Sequence, residues 1–126
     1  MSDASVPPWL QEQLAKYDQM RQTLQSVVAQ KQQLQAELSD TERALAELRK
    51  VTNETPTYKI AGSVLIRVDR ETLLKEMEEK KELTNTRVMV LEKQEQRLQA
   101  SLQELQNKIT ESLRPRQPSA GQGTPG

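Results

Sequence analysis

Apolar residues recur at alternating intervals of three and four along the first third of the chain, through Leu10, Gln13, Tyr17, Met20, Leu24, Val27, Lys31, Leu34, Leu38, Thr41, Leu45 and Leu48. A second series of the same kind runs through Leu74, Met77, Lys81, Thr84, Val88, Leu91, Glu95, Leu98, Leu102, Leu105 and Ile109. Each is a heptad seam. Sustained over more than about four heptads, such spacing turns one stripe of a helix toward a partner and implies left-handed supercoiling. The residues between are mostly Gln, Glu, Lys, Arg and Ala, which favour helix.

The two seams predict an all-α dominated fold: a long antiparallel two-helix coiled-coil hairpin with a single β-hairpin between the helices. The first helix is expected over about 7–51 and the second over about 70–113. Val6, Pro7 and Pro8 after Ser5 suit a helix entrance, because proline's missing N–H has no intrahelical partner in the first turn. Thr52-Asn53-Glu54-Thr55-Pro56 brings in poor helix formers and stops the first helix. Asp69 is an N-cap candidate for the second, with Glu71 in its first turn. Together, residues 1–113 read as one unit.

Antiparallel alignment pairs Leu48 with Leu74, Leu45 with Met77, Leu34 with Val88, Leu24 with Leu98, Met20 with Leu102 and Tyr17 with Leu105. The charges that intrude on the seams, Lys31 and Glu95, then fall in adjacent layers and are expected to meet. They act either as a register lock, since polar seam residues specify alignment at a cost in stability, or as snorkelling side chains that reach solvent. The stretch around Thr41, Lys81 and Thr84 is the least apolar part of the seam.

Residues 56–68 cannot be helix. Tyr58 to Ile60 and Ser63 to Val68 are two β-rich runs separated by Ala61-Gly62, a β-hairpin signature. Val64, Ile66 and Val68 point to one face and Leu65 and Arg67 to the other, with Tyr58 and Ile60 adding apolar surface from the first strand. An isolated two-stranded hairpin is marginal in water, and an apolar edge strand is a template for other chains. Burying five or six such side chains contributes about 1.5–3 kcal/mol each. Association costs about 4–15 kcal/mol first. A sheet or barrel shared by several chains offsets that cost better than one pairwise contact does. Tyr58, Ile60, Gly62, Val64, Leu65, Ile66 and Val68 are therefore the candidate oligomerisation element.

Charge and composition narrow the chemistry. Lys+Arg (18) and Asp+Glu (18) balance, so there is no overall basic surface for nucleic acid or anionic membrane. With 34% hydrophobic and 2% aromatic residues, the chain is short of filling for a compact core, and an elongated protein is expected. His and Cys are both absent, which deletes the commonest general base, the commonest metal ligand and any thiolate site. No Gly-rich phosphate loop or metal cluster stands out. No catalytic, cofactor or metal residues are assigned, and an enzyme is not expected. The first residues lack the basic-then-apolar order of a signal peptide, and no apolar run approaches the ~20 residues that span a bilayer, so a cytoplasmic protein without membrane contact is the expectation.

Both termini are expected at the end of the coiled coil distant from the hairpin. Val6, Pro7, Trp9, Leu10 and Leu14 gather on one side, and Leu105, Ile109 and Leu113 on the other. These residues either cap the seam or, where the coiled coil frays, form an exposed apolar patch that marks an interaction site. Residues 114–126 read as a disordered tail.

Tyr58, Lys59, Gly62, Val64, Leu65 and Ile66, followed by Arg67-Val68 and set between two coiled-coil helices, resemble the linker of the β-type subunits of prefoldin, the chaperone also called GimC. Leu91 to Leu98 looks like the archaeal form. Only one hairpin fits between Val51 and Val68, whereas the α type carries two. The resemblance implies hairpin strands joined in a double β-barrel platform, and a hexamer of four β-type and two α-type subunits. It further implies an ATP-independent chaperone whose coiled-coil tips hold unfolded polypeptides and pass them to a chaperonin, weak tips acting together by multivalency. Two other readings compete: a coiled-coil tether or adaptor without chaperone activity, and a helical arm that binds RNA, against which the zero net charge counts.

Overall fold

A computed structural model describes residues 6–114. The elements follow one another as α1 (Pro8–Lys50), β1 (Tyr58–Ala61), β2 (Val64–Arg67) and α2 (Arg70–Leu113). Two long helices that pack antiparallel, with one two-stranded antiparallel β-hairpin between them, are the architecture expected from the seams. The tail assigned to 114–126 lies, apart from Arg114, outside the described residues, as does Ser5.

Contacts divide the chain into two compact units, Ser26–Glu95 and Met1–Gln25 with Gln96–Gly126. In Ser26–Glu95 the cross-helix ion pairs run in opposite order along the two helices: Lys31 with Glu95, Glu42 with Lys81, Arg49 with Glu78. The buried residues of this unit are Val27, Thr41, Leu45, Leu73, Thr84 and Val88. Leu45, with 0% exposure, is the one large side chain fully enclosed among the described residues. In the other unit, Leu10, Leu105 and Ile109 form a core against which Tyr17 and Met20 pack.

Two details differ from the sequence reading. Leu73, not Leu74, is the buried residue at the start of α2, and Leu74 is half-buried. Stepping back from Met77 by four lands on Leu73 and by three on Leu74, so both sides of a widened apolar stripe face inward there. The least apolar stretch of the seam is also one of its best enclosed, with Thr41 at 3% and Thr84 at 4% exposure. Short side chains let helices approach closely, and the Thr41 hydroxyl is satisfied locally by donating to the Glu37 carbonyl at 2.8 Å.

The junctions have physical causes. Pro8 stands at the first helical position, where the Pro7 carbonyl accepts from the N–H groups of Leu10 and Gln11, both at 3.0 Å. α1 ends with Arg49 and Lys50, cations suited to its carbonyl end. Arg70 then reaches back, donating from Nε to the Leu48 carbonyl at 2.6 Å and from Nη1 to Asn53 Oδ1 at 2.8 Å. Asn53 in turn donates to Glu71. One residue of α2 thus satisfies a carbonyl left open where α1 stops.

Asp69 caps α2: its carboxylate accepts from the Thr72 N–H at 3.0 Å and from the Thr72 hydroxyl. These bonds, the hydroxyl first, favour the ionised form and hold the Asp69 carboxyl below its ordinary value of 3.8. A lowered folded value means the contribution is complete above the unfolded value and lost as pH falls through the folded one. Asp69→Asn keeps an acceptor at the cap without titrating there. The stability difference between wild type and Asp69→Asn, followed by circular dichroism in urea, is expected to be constant near neutrality and to change as pH drops below about 4. A difference independent of pH down to the acid transition would mean that the cap carboxylate does not titrate as its bonding requires.

Candidate functional site

Large apolar side chains stand in solvent at the hairpin, near the ends of the described chain and, along α2, at Leu83, Met89 and Val90; the first candidate is the hairpin. Register pairs Tyr58 with Arg67, Lys59 with Ile66, Ile60 with Leu65 and Ala61 with Val64. Facing residues share a side of the sheet. One face therefore carries Tyr58, Ile60 and Leu65 with Arg67, and the other Ala61, Val64 and Ile66 with Lys59. Ile60 is 77% exposed and Leu65 67%, while Tyr58, Val64 and Ile66 are also open. Val68 lies just beyond β2, half-buried, and its N–H donates to the Thr57 carbonyl at 3.0 Å. Among the described residues, nothing covers either apolar face fully.

The turn is Gly62-Ser63 rather than Ala61-Gly62, since Ala61 pairs with Val64 as the last residue of β1. Gly62 has φ of 63°. A tight two-residue hairpin loop demands the left-handed region at its first position, and glycine reaches it without steric cost. Lys59 ties the hairpin to α2, its ammonium lying 3.0 Å from Glu76 Oε1.

The second candidate lies in the unit that contains both ends of the described chain. Of the candidate residues there, Leu10, Leu105 and Ile109 are the core, while Val6, Pro7, Trp9, Leu14 and Leu113 are exposed. Trp9, the only tryptophan, keeps 49% of its surface in water. Gln11 donates from its side chain to the Val6 carbonyl and holds that residue beside the helix start. A cleft of about 210 Å³ is lined by Trp9, Gln13, Lys108, Ile109 and Ser112. A larger one, about 450 Å³, shares Gln13 and Lys108 with it and reaches Met20 and Leu105.

Lys31 and Glu95 do meet: Nζ lies 2.5 Å from Oε1, and each side chain is 18% exposed. Both are held in the seam rather than splayed into solvent. In a double-mutant cycle with Lys31→Ala and Glu95→Ala, a coupling of about 1 kcal/mol is expected, at the top of the range of exposed pairs. Coupling near zero would mean two independent side chains and no register role.

Among the described residues no group of three or more His, Cys, Asp or Glu is arranged to hold a metal ion, and no helix is long and apolar enough to cross a membrane.

Antiparallel coiled-coil helices joined by one open, apolar β-hairpin define the class of two-helix coiled-coil hairpin proteins. The family described as "Prefoldin subunit" matches residues 11–116. The chain is 42% identical over 110 residues to the prefoldin β subunit of Archaeoglobus fulgidus, covering 87% of this chain and 95% of that one. To the prefoldin β subunit of Pyrococcus furiosus it is 37% identical over 117 residues, covering 93% and 98%. The crystal structure of the prefoldin β subunit from Thermococcus strain KS-1 superposes with a TM-score of 0.80 at 34% identity, over 89% of this chain and 98% of that one. The chain belongs to the prefoldin family, among its β subunits, and is a non-enzymatic chaperone subunit.

Proposed function

We propose that this chain works as an ATP-independent holding chaperone in a hexamer of two α-type and four β-type subunits. The hairpin makes the subunit contacts, and the helix ends around Trp9 hold unfolded polypeptides for transfer to a chaperonin. The observation that carries the reading is the separation of apolar surface by role. In the unit with the chain ends, Leu10, Leu105 and Ile109 stabilise the coiled coil, while Val6, Trp9, Leu14 and Leu113 stay exposed. Exposed apolar groups of this kind cost little to leave in water singly and gather into an interaction surface together. Weak contacts repeated over several subunits hold a non-native chain and still release it without nucleotide. Family membership supports a cytoplasmic setting and an α-type partner.

The test leaves the core alone. Trp9→Ser, Leu14→Ser and Leu113→Ser are combined, and the co-assembled oligomer is assayed for suppression of aggregation of a chemically denatured client. Suppression is expected to fall several-fold per oligomer, because multivalent binding multiplies small losses at each site, while oligomer mass stays unchanged. Full suppression by the triple variant would defeat the client-binding role of these residues, and a simple dimer that refuses an α-type partner would favour the tether reading.

A further inference from the structure

Between Glu54 and Asp69 the chain has two cations and no carboxylate, Lys59 and Arg67. Their surroundings differ. Lys59 stands on the face with Ala61, Val64 and Ile66, and its ammonium is held by both oxygens of Glu76, at 3.0 and 3.4 Å. Arg67 stands on the opposite face, directly across from Tyr58, on the side of the sheet that also carries Ile60 and Leu65. It is exposed. Among the described residues no carboxylate comes within 4.0 Å of it. Asp69, the acid nearest in sequence, is occupied by Thr72.

A guanidinium stays charged at every working pH. Covering the apolar face around it without a counter-charge is strongly unfavourable. A second copy of this chain brings no free acid on its own hairpin, so self-pairing through this face sets cation against cation. We infer that Arg67 is a specificity-determining residue of the assembly: the hairpin of the α-type partner presents a carboxylate to it, and this pair favours mixed assembly over self-assembly. Discrimination of this kind needs both the attraction to the right partner and the repulsion between like copies. The inference rests on the hairpin being the subunit contact, as proposed above.

Co-assembly with an archaeal α-type subunit is followed by native mass measurement across a concentration series. Arg67→Glu is expected to raise the concentration for half-assembly by about tenfold or more, and Arg67→Lys by much less. Wild-type co-assembly weakens as NaCl rises, through screening, and Arg67→Gln loses most of that salt dependence. Circular dichroism confirms that each variant is as helical as wild type. If Arg67→Glu and Arg67→Gln assemble at the wild-type concentration with the wild-type salt slope, the guanidinium sits at a solvated rim and the inference is overturned. Leu65→Asp, on the same face, separates the two levels. If it blocks assembly while the Arg67 variants do not, only the inference falls. If it too assembles normally, the hairpin is not the contact, and both fall.

Discussion

Replacing Leu45 by alanine lowers the unfolding free energy by about 2–5 kcal/mol, the range for truncating an enclosed leucine. Leu45 is at the upper end of what a two-helix seam can enclose, with 0% of its surface in water. The cost has two parts: lost transfer free energy of the removed methyl groups, and the space they leave between helices that cannot fully collapse. Few side chains share the load, since the buried apolar residues of the same unit are Val27, Leu73 and Val88 beside it. Urea unfolding at fixed protein concentration measures the loss, with the m-value as a check that the exposed surface on unfolding is unchanged. A loss below about 1 kcal/mol would mean that the seam around Leu45 repacks, and that its enclosure is not a support of the fold.

Leu65→Asp is expected to do the opposite, leaving the subunit stable and removing assembly. The side chain is 67% exposed within this chain, so a polar replacement changes monomer stability by about 0.5 kcal/mol at most. In an interface that covers the face shared with Ile60 and Tyr58, the same carboxylate becomes a buried charge, which costs several kcal/mol. Because each hexamer would carry the change in four β-type copies, assembly falls below detection at micromolar concentration rather than weakening in proportion. Sedimentation velocity of the variant with an α-type subunit reads this directly. Unchanged hexamer would assign the platform contact elsewhere in the chain.

The helices were legible because a seam repeats. All twelve positions of the first series, from Leu10 to Leu48, are buried or half-buried, including Gln13 and Lys31. Even the division of the terminal residues was implicit in that spacing, since Leu10, Leu105 and Ile109 belong to the seam series and Trp9, Leu14 and Leu113 do not. The hairpin, too, was readable as two β-rich runs about a glycine. What the pattern did not carry was local or long-range polar detail. Gly62-Ser63 as the turn depends on which single residue takes the left-handed conformation. The choice of Leu73 over Leu74 depends on the mismatch between 3.5 and 3.6 residues per turn at a helix start. The enclosure of Thr41 and Thr84 depends on side-chain size rather than polarity. Arg70 gave no signal at all, because a donor that reaches a carbonyl 22 residues earlier has no periodicity to betray it.

That arginine has a consequence for how such subunits diverge. Arg70 clasps the last turn of α1 through the Leu48 carbonyl, and Thr57 and Val68 close the root of the strands with a hydrogen bond in each direction. Both roots of the insert are stapled by groups outside β1 and β2. The strands between are therefore a cassette: their residues can be exchanged to suit a new neighbour while the register of the helices stays fixed. Under the proposed function, choice of partner and the working of the arms can change on separate evolutionary schedules.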